Sequence, residues 1–337
     1  MSLAQNKVSC FSTTYPWREK CKKPAGMADK TRVLIADDNP LFQSVLQSML
    51  SNWGYEVMVA ADGVEAHSLL MAEDAPRLAI LDADLPGLSA VEICRRIRAA
   101  NQLHYTYLLL LTAHGPIEDL VAAMDAGADD YITRPFHSQE FRARLQVGHR
   151  IVQLHERLIR VHQDLYEQAN HDSLTGLWNR TAIIRILDSE IARAARGGGG
   201  VAVIMADIDH FKQINDHYGH IAGDKVLREA THRMSSMLRK YDSMGRFGGE
   251  EFLIVIPGCQ PDASLAVAER LREVVACQPF VVNDAECTAT CSLGLAWSNC
   301  GENADATQLL READTSLYSA KRHGRNRVES SLSATVA

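Results

Sequence analysis

One repeated pattern constrains this chain more than any other feature. A short apolar run ends in an acidic or hydroxyl residue, and a stretch long enough for a helix follows. Val33-Leu34-Ile35-Ala36 runs into Asp37-Asp38-Asn39-Pro40, and then Leu41, Val45, Met49 and Leu50 recur at helical spacing. Tyr55 to Ala60, Leu78 to Leu81 with Asp82 at its end, Tyr107 to Thr112, and Asp130 to Thr133 repeat the strand signal. Strands alternating with helices in this way predict a doubly wound, five-stranded parallel α/β sheet. Sites in such sheets lie at the carboxyl ends of the strands, where this sequence puts Asp37, Asp38, Asp82 and Thr112. One Asp at a strand end is usually a turn former or a helix cap. Three at matching ends repel one another and need a divalent cation, and oxygen ligands suit Mg²⁺. The cation can bring a phosphoryl donor to one carboxylate acting as nucleophile.

The 337 residues suggest two domains and a connector. No apolar run approaches the ~18 residues of a transmembrane helix, so membrane insertion is not expected. The net charge of −7 makes non-specific nucleic-acid binding unfavourable. Residues 170–330 offer no convincing helix-turn-helix with a basic recognition helix, so DNA is not an expected partner either. The eight cysteines include no Cys-x-x-Cys pair and fit reduced thiols in a cytoplasmic protein. Residues 1–30 lack a signal-peptide core and read as a disordered leader.

After Phe136 the chain has no proline until Pro257. Val147, Ile151, Leu154, Leu158, Val161 and Leu165 form a heptad seam. A continuous helix from about Glu140 to Asn170 is ~45 Å long and needs a partner for its apolar stripe. The same helix of a second chain supplies one, which predicts a coiled-coil connector and a homodimer or higher oligomer.

A second domain opens at Asp172-Ser173-Leu174-Thr175-Gly176-Leu177-Trp178-Asn179-Arg180, where Asp172 or Ser173 could cap the next helix. Gly197 to Gly200 breaks that helix. Val201 to Ala206 then delivers Asp207-Ile208-Asp209, followed by Phe211-Lys212, Asn215, His220 and Gly223-Asp224. Arg246-Phe247-Gly248-Gly249-Glu250-Glu251-Phe252 reads as a hairpin with Glu250 and Glu251 just after its turn. An Asp at a strand end and a Glu on an adjacent hairpin can share a divalent cation, an arrangement suited to nucleotidyl transfer. Lys321 and Arg325, four apart on a late helix, would share a face and could clamp a triphosphate.

Residues 32–148 resemble the receiver domain of response regulators. The resemblance rests on Asp37-Asp38, Asp82 in Asp-Ala-Asp-Leu-Pro-Gly, Thr112 in Leu-Thr-Ala, and Tyr131 before Arg134-Pro135-Phe136. It implies that Asp82 accepts a phosphoryl group from a histidine kinase, with Mg²⁺ held at Asp37, Asp38 and Asp82. It also implies a switch pair, Thr112 and Tyr131. Arg134 stands where the family has Lys, and a planar fork is not equivalent to a point charge at a phosphate.

Residues 170–330 resemble the GGDEF family of diguanylate cyclases, an α+β palm-like fold. The opening motif, the Asp-Ile-Asp-His-Phe-Lys-x-x-Asn-Asp run, the Gly-Gly-Glu-Glu-Phe hairpin and the late Gly324-Arg325-Asn326-Arg327 carry the resemblance. It implies condensation of two GTP into cyclic di-GMP. Asp207, the Ile208 carbonyl and Glu250 would hold Mg²⁺ or Mn²⁺. Glu250, Asp207 and Glu251 form the implied catalytic set, with Glu250 the candidate base. Phe211, Lys212, Lys321 and Arg325 would hold phosphates. Asn215, His220 and Asp224 would sit at the GTP, with Asn215 and Asp224 at guanine. Arg239-Lys240-Tyr241-Asp242 matches the family's Arg-x-x-Asp inhibitory site for cyclic di-GMP, with Arg270 assisting.

The expected organisation is a leader (1–30), a receiver domain (31–139), a connector (140–171), a GGDEF domain (172–330) and a tail (331–337). The alternative is an enzyme-inactive, nucleotide-sensing response regulator, which would predict a broken Gly-Gly-Glu-Glu-Phe.

Overall fold

The computed structural model describes residues 31–100, 104–113, 117–282, 285–299 and 305–331. The expected leader, and the expected tail beyond Ser331, lie outside these residues. Two compact units part between Asp164 and Leu165.

In the first unit, strands β1 (Arg32–Ala36), β2 (Glu56–Ala60), β3 (Leu78–Asp82), β4 (Tyr107–Thr112) and β5 (Asp130–Thr133) form a five-stranded sheet in the order β2-β1-β3-β4-β5. All its pairings are parallel. Helices α1 (Pro40–Asn52), α2 (Gly63–Met71), α3 (Ala90–Ala99), α4 (Ile117–Asp125) and the start of α5 (Ser138–Asn170) complete it. Both faces of such a sheet are covered, which is why its central strands are near-continuous apolar runs. Alternation along β1 divides the core: Leu34 and Ala36 join Leu81, Ile93 and Leu108, while Val33 and Ile35 join Leu46, Tyr107, Phe141 and Leu145. Asn39 starts α1 one residue past the acidic pair. Its side chain accepts the N–H groups of Leu41 and Phe42, and Pro40 fills the first helical position.

Helix α5 spans 33 residues and carries two apolar stripes. Phe141, Leu145, Gly148 and Val152 are buried. Gly148 lets the helix lie against Tyr107, since a Cβ there would stand 2.4 Å from the ring. Of the heptad seam, Ile151 packs against the core of the first unit, whereas Val147, Leu154, Leu158, Val161 and Leu165 are exposed.

In the second unit, β6 (Val201–Ile208), β7 (Ser243–Gly248), β8 (Glu251–Pro257), β11 (Cys291–Ser298) and β12 (Val328–Ser330) form a sheet in the order β12-β11-β6-β8-β7. Strands β9 (Phe280–Val282) and β10 (Ala285–Cys287) make a separate small hairpin. Central β6 is buried along its whole length and antiparallel to both neighbours. Helices α7 (Phe211–Tyr218), α8 (His220–Ser236) and α9 (Pro261–Ala276) pack on the side of Ala202, Ile204, Ala206 and Ile208. Helices α6 (Arg180–Arg193) and α10 (Ala306–Arg322) cover Val201, Val203 and Met205. The unit is α+β.

The cap of α6 is Asn179, whose side chain accepts the Ala182 N–H, and not Asp172 or Ser173. Asp172 is already engaged by the N–H and hydroxyl of Thr175 within its own turn. Beyond α6 the chain makes a π-type turn over Ala194–Gly198, and Gly197 takes a φ of 97° there. Among the described residues no helix is long and apolar enough to cross a membrane.

The two stripes of α5 differ in energetic weight. Leu145→Ala is expected to lower stability by ~2–4 kcal/mol through a core cavity. Leu158→Ala, at a position 65% exposed, should cost less than ~0.5 kcal/mol in the isolated chain. Denaturant titration of both variants checks the contrast.

Candidate functional site

The ends of β1 and β3 bring Asp37, Asp38 and Asp82 together, with ligand oxygens within 4.8 Å of one another. Asp37 and Asp82 are buried and Asp38 is exposed. The Asn39 N–H donates to Asp37 Oδ1. Arg134 Nη2 lies 2.5 Å from Asp37 Oδ2 and 3.3 Å from Asp82 Oδ1, and its guanidinium stacks over Phe42 at 4.1 Å. A planar fork resting on a ring suits Arg and not Lys. Burial pushes the Asp82 carboxyl up; Arg134 opposes this, and Asp37, Asp84 and Asp38 add to it. Thr112 donates its hydroxyl to the Ala113 carbonyl, and Tyr131 on the adjacent strand packs partly into the core.

In the second unit, Asp207 near the end of β6 pairs in register with Glu251 of β8. It is 6% exposed, and Lys321 Nζ stands 2.7 Å from its Oδ2. Burial pushes its carboxyl up to about 6, against the pull of Lys321 and helped by the charges of Glu250 and Glu251. The hairpin closes one residue later than the sequence suggests. A bulge between Arg246 and Gly248 lets Gly248 pair with Glu251, so Gly249 and Glu250 form the turn itself. The Ile208 N–H donates to the Glu250 carbonyl at 3.3 Å, which ties the turn to the end of β6.

Arg246 holds this turn from the other side. Its Nε and Nη2 donate to the Gly249 carbonyl, and its Nη1 donates to both oxygens of Asp172. Both residues stand within the sequence motifs, which do not by themselves assign this role. Their places in the Asp-x-Leu-Thr motif and just before the Gly pair were the available signal.

Arg325 does not share a helix face with Lys321. Helix α10 stops at Arg322, Gly324 takes a φ of 114°, and the Arg325 N–H closes back on the Ala320 carbonyl. That is a glycine-terminated helix end. Arg325 and Asn326 follow with φ of 63° and 46°.

Helices α7 and α8 pack closely at Gly223, where the Asn215 side chain and the Phe211 ring approach the backbone. Asn215 comes from α7, Asp224 is half-buried on α8, and Gly219 with φ 84° joins the two helices. A Cβ on Gly223 would stand 1.9 Å from Asn215 Oδ1. Phe211 is buried, Lys212 exposed in the first turn of α7, and His220 exposed at the start of α8. Farther along, Asp242 is buried and accepts the Arg239 N–H, while the Arg239 guanidinium donates to the Tyr241 hydroxyl. Burial pushes the Asp242 carboxyl up, with Arg239 and Arg270 pulling it down.

Both strand ends suit a hard divalent cation. The donors are oxygens, and their mutual repulsion is what a cation relieves. At the second, burial is the chief cause of the lifted Asp207 carboxyl, and the charges of Glu250 and Glu251 add to it. Because the folded value of about 6 lies above the usual 3.8, the folded chain holds this proton more tightly, and ionisation destabilises it as pH rises through that window. At ~1.4 kcal/mol per unit, the effect reaches a few kcal/mol. In chelator at pH 7.5, Asp207→Asn should therefore unfold at a higher temperature than the parent chain, with the gap narrowing toward pH 4. Thermal scans that rank the variant lower at both pH values would contradict this.

Comparison with known proteins fits this geometry. A family model described as "Response regulator receiver domain" matches residues 33–146, and one described as "Diguanylate cyclase, GGDEF domain" matches residues 169–327. The response regulator PleD of Caulobacter vibrioides is 32% identical over 299 residues; the match covers 88% of this chain and 65% of PleD, so the chain spans somewhat less than two thirds of that relative. The diguanylate cyclase DgcP of Pseudomonas aeruginosa is 38% identical over 66% of this chain and 33% of its own length. Among solved structures, the coiled coil and GGDEF domain of DgcB from Caulobacter crescentus, in complex with c-di-GMP, superposes with a TM-score of 0.51. That match has 31% identity and covers 57% of this chain and 99% of the DgcB chain. Residues 33–146 are thus a response regulator receiver domain and residues 169–327 a GGDEF domain.

Proposed function

We propose that this chain is a diguanylate cyclase governed by phosphorylation of its receiver domain. The observation that carries the reading is the buried Asp207 at the end of β6, facing the Glu250–Glu251 hairpin, with Lys321 at 2.7 Å. The GGDEF family match and the c-di-GMP bound to DgcB support it.

In the proposed reaction, the 3′-hydroxyl oxygen of each GTP attacks the α-phosphorus of the other. Two new phosphodiester bonds form, two bonds to bridging oxygens break, and two pyrophosphates leave. Each hydroxyl proton needs an acceptor, and Glu250 is the candidate, with Glu251 beside it. Asp207, the Ile208 carbonyl and Glu250 would hold Mg²⁺ or Mn²⁺, which when bound neutralises triphosphate charge. Lys321, Arg325, Lys212 and the start of α7 at Phe211 hold the phosphates. Asn215 and Asp224 read guanine, since its N1–H and amino group are donors a carboxylate accepts, and His220 at the start of α8 lies at the GTP.

In the receiver domain, Asp82 attacks the phosphorus of a histidine kinase's phosphohistidine. The P–N bond breaks and an acyl phosphate forms. Asp37 and Asp38, together with Asp82, would hold Mg²⁺ there. Arg134 meets the new phosphoryl group, and Thr112 and Tyr131 are the switch pair. Each cyclase domain presents one GTP, so two must face each other, and the exposed seam of α5 supplies the homodimer that holds them together. Arg239, Asp242 and Arg270 form the site for inhibition by the product.

Purified chain incubated with GTP and Mg²⁺ should yield cyclic di-GMP on chromatography, and Glu250→Gln should abolish it without unfolding the protein. Near-parental output from that variant would remove Glu250 from the chemistry. Leu158→Asp should shift sedimentation toward monomer and lower activity, with partial recovery at higher protein concentration. A variant that stays dimeric and fully active on dilution would show that α5 does not bring the two GTP together.

A further inference from the structure

Asp209 follows Asp207 by two residues, yet its surroundings are entirely different. It is 4% exposed. Its Oδ1 accepts the Ser292 hydroxyl at 2.6 Å, and its Oδ2 accepts the Thr290 hydroxyl at 2.6 Å and the backbone N–H of Asn326 at 3.1 Å. Its own N–H donates to the Thr290 carbonyl. Both of its oxygens are occupied by hydrogen-bond donors, and none of those donors is a side chain of the proposed reaction.

The Asn326 contact matters most. Arg325 and Asn326 occupy the left-handed region one after the other, a conformation that costs energy for residues with a Cβ and persists only where the surroundings impose it. Three bonds impose it here. The Arg325 N–H reaches the Ala320 carbonyl, the Asn326 N–H reaches Asp209, and the Asn326 side-chain oxygen accepts from Arg272 of α9. One end of this turn is therefore fastened next to Lys321 and the other two residues past Asp207.

We infer that Asp209 is a positioning residue for the cyclase reaction: its carboxylate fixes the strained Arg325–Asn326 turn and so aims the Arg325 guanidinium at the phosphates bound near Asp207. This rests on the proposed placement of GTP. A charge-assisted bond to a backbone amide, made by a carboxylate already buried among hydroxyls, is strong and directional. Loss of that bond frees a turn with an intrinsic preference for other conformations, and Arg325 then has no fixed bearing.

The test compares Asp209→Ala, Asp209→Asn, Arg272→Ala, Arg325→Ala and the Asp209→Ala/Arg325→Ala double variant in the full-length chain. Initial rates with Mg²⁺–GTP should show KM raised about tenfold by Asp209→Ala and by Arg325→Ala, with smaller changes in kcat. The double variant should be no worse than Arg325→Ala alone. Arg272→Ala, which releases the same turn from the opposite side, should raise KM in the same sense, and it keeps the test open should Asp209→Ala fail to fold. Additive losses in the double variant, or a collapse of kcat at unchanged KM, would overturn the positioning role. Amide hydrogen exchange over residues 322–328 needs no nucleotide. It should quicken in Asp209→Asn whether or not the parent chain makes cyclic di-GMP, and unchanged exchange would overturn the inference on its own. A parent chain without cyclase activity but with faster exchange in the variant would instead count against the proposed reaction alone.

Discussion

Each unit of this protein is arranged around the same electrostatic problem: a carboxylate buried at the end of a strand, beside further carboxylates. Taking a charge out of water costs several kcal/mol unless it is paired and hydrogen-bonded. Asp37 is answered by Arg134, and Asp207 by Lys321. Neither cation removes the strain. Asp82 remains lifted by burial despite Arg134, and Asp207 remains lifted despite Lys321. Such sites are poised for a stronger counterion than a side chain. The elements around them are those needed to keep the carboxylates in place: the Asn39 cap after β1, the bulged hairpin beside β6, and the glycine-terminated end of α10.

The hairpin shows how local geometry is locked at such a place. Arg246 spends its whole guanidinium on two acceptors, the Gly249 carbonyl in the turn and the Asp172 carboxylate in the loop after α5. The Ile208 N–H holds the same turn through the Glu250 carbonyl. Glu250 is thus presented by a backbone fixed on both sides. A preorganised backbone of this kind needs little rearrangement when charge develops nearby.

Much of this was legible in the residues. Strands buried on both faces betray themselves as apolar runs, and their terminal acids stand in the sequence directly behind them. The heptad seam of α5 was equally plain. Its second stripe was not, because Gly148 reads as a helix weakness, whereas the Tyr107 ring pressed against it makes it a close-packing residue. Arg325 leaves its expected helix face because Gly324, a helix stop, breaks the i,i+4 spacing and reverses the chain before Arg325. Glu250 fell one position from its place since a bulge leaves no mark in composition. The bonds of Asp209 to Thr290 and Ser292, and that of Arg246 to Asp172, join residues 74 or more apart, and spacing within a motif does not reveal such partners.

The central claim is that each of the two acidic strand ends binds a divalent cation. Mn²⁺ titration of the intact chain, followed by electron paramagnetic resonance of the free ion, counts such sites directly. The account predicts two sites per chain, one lost in Asp37→Asn and the other lost in Asp207→Asn and tightened by GTP. A single site, or two that survive both substitutions, would contradict it.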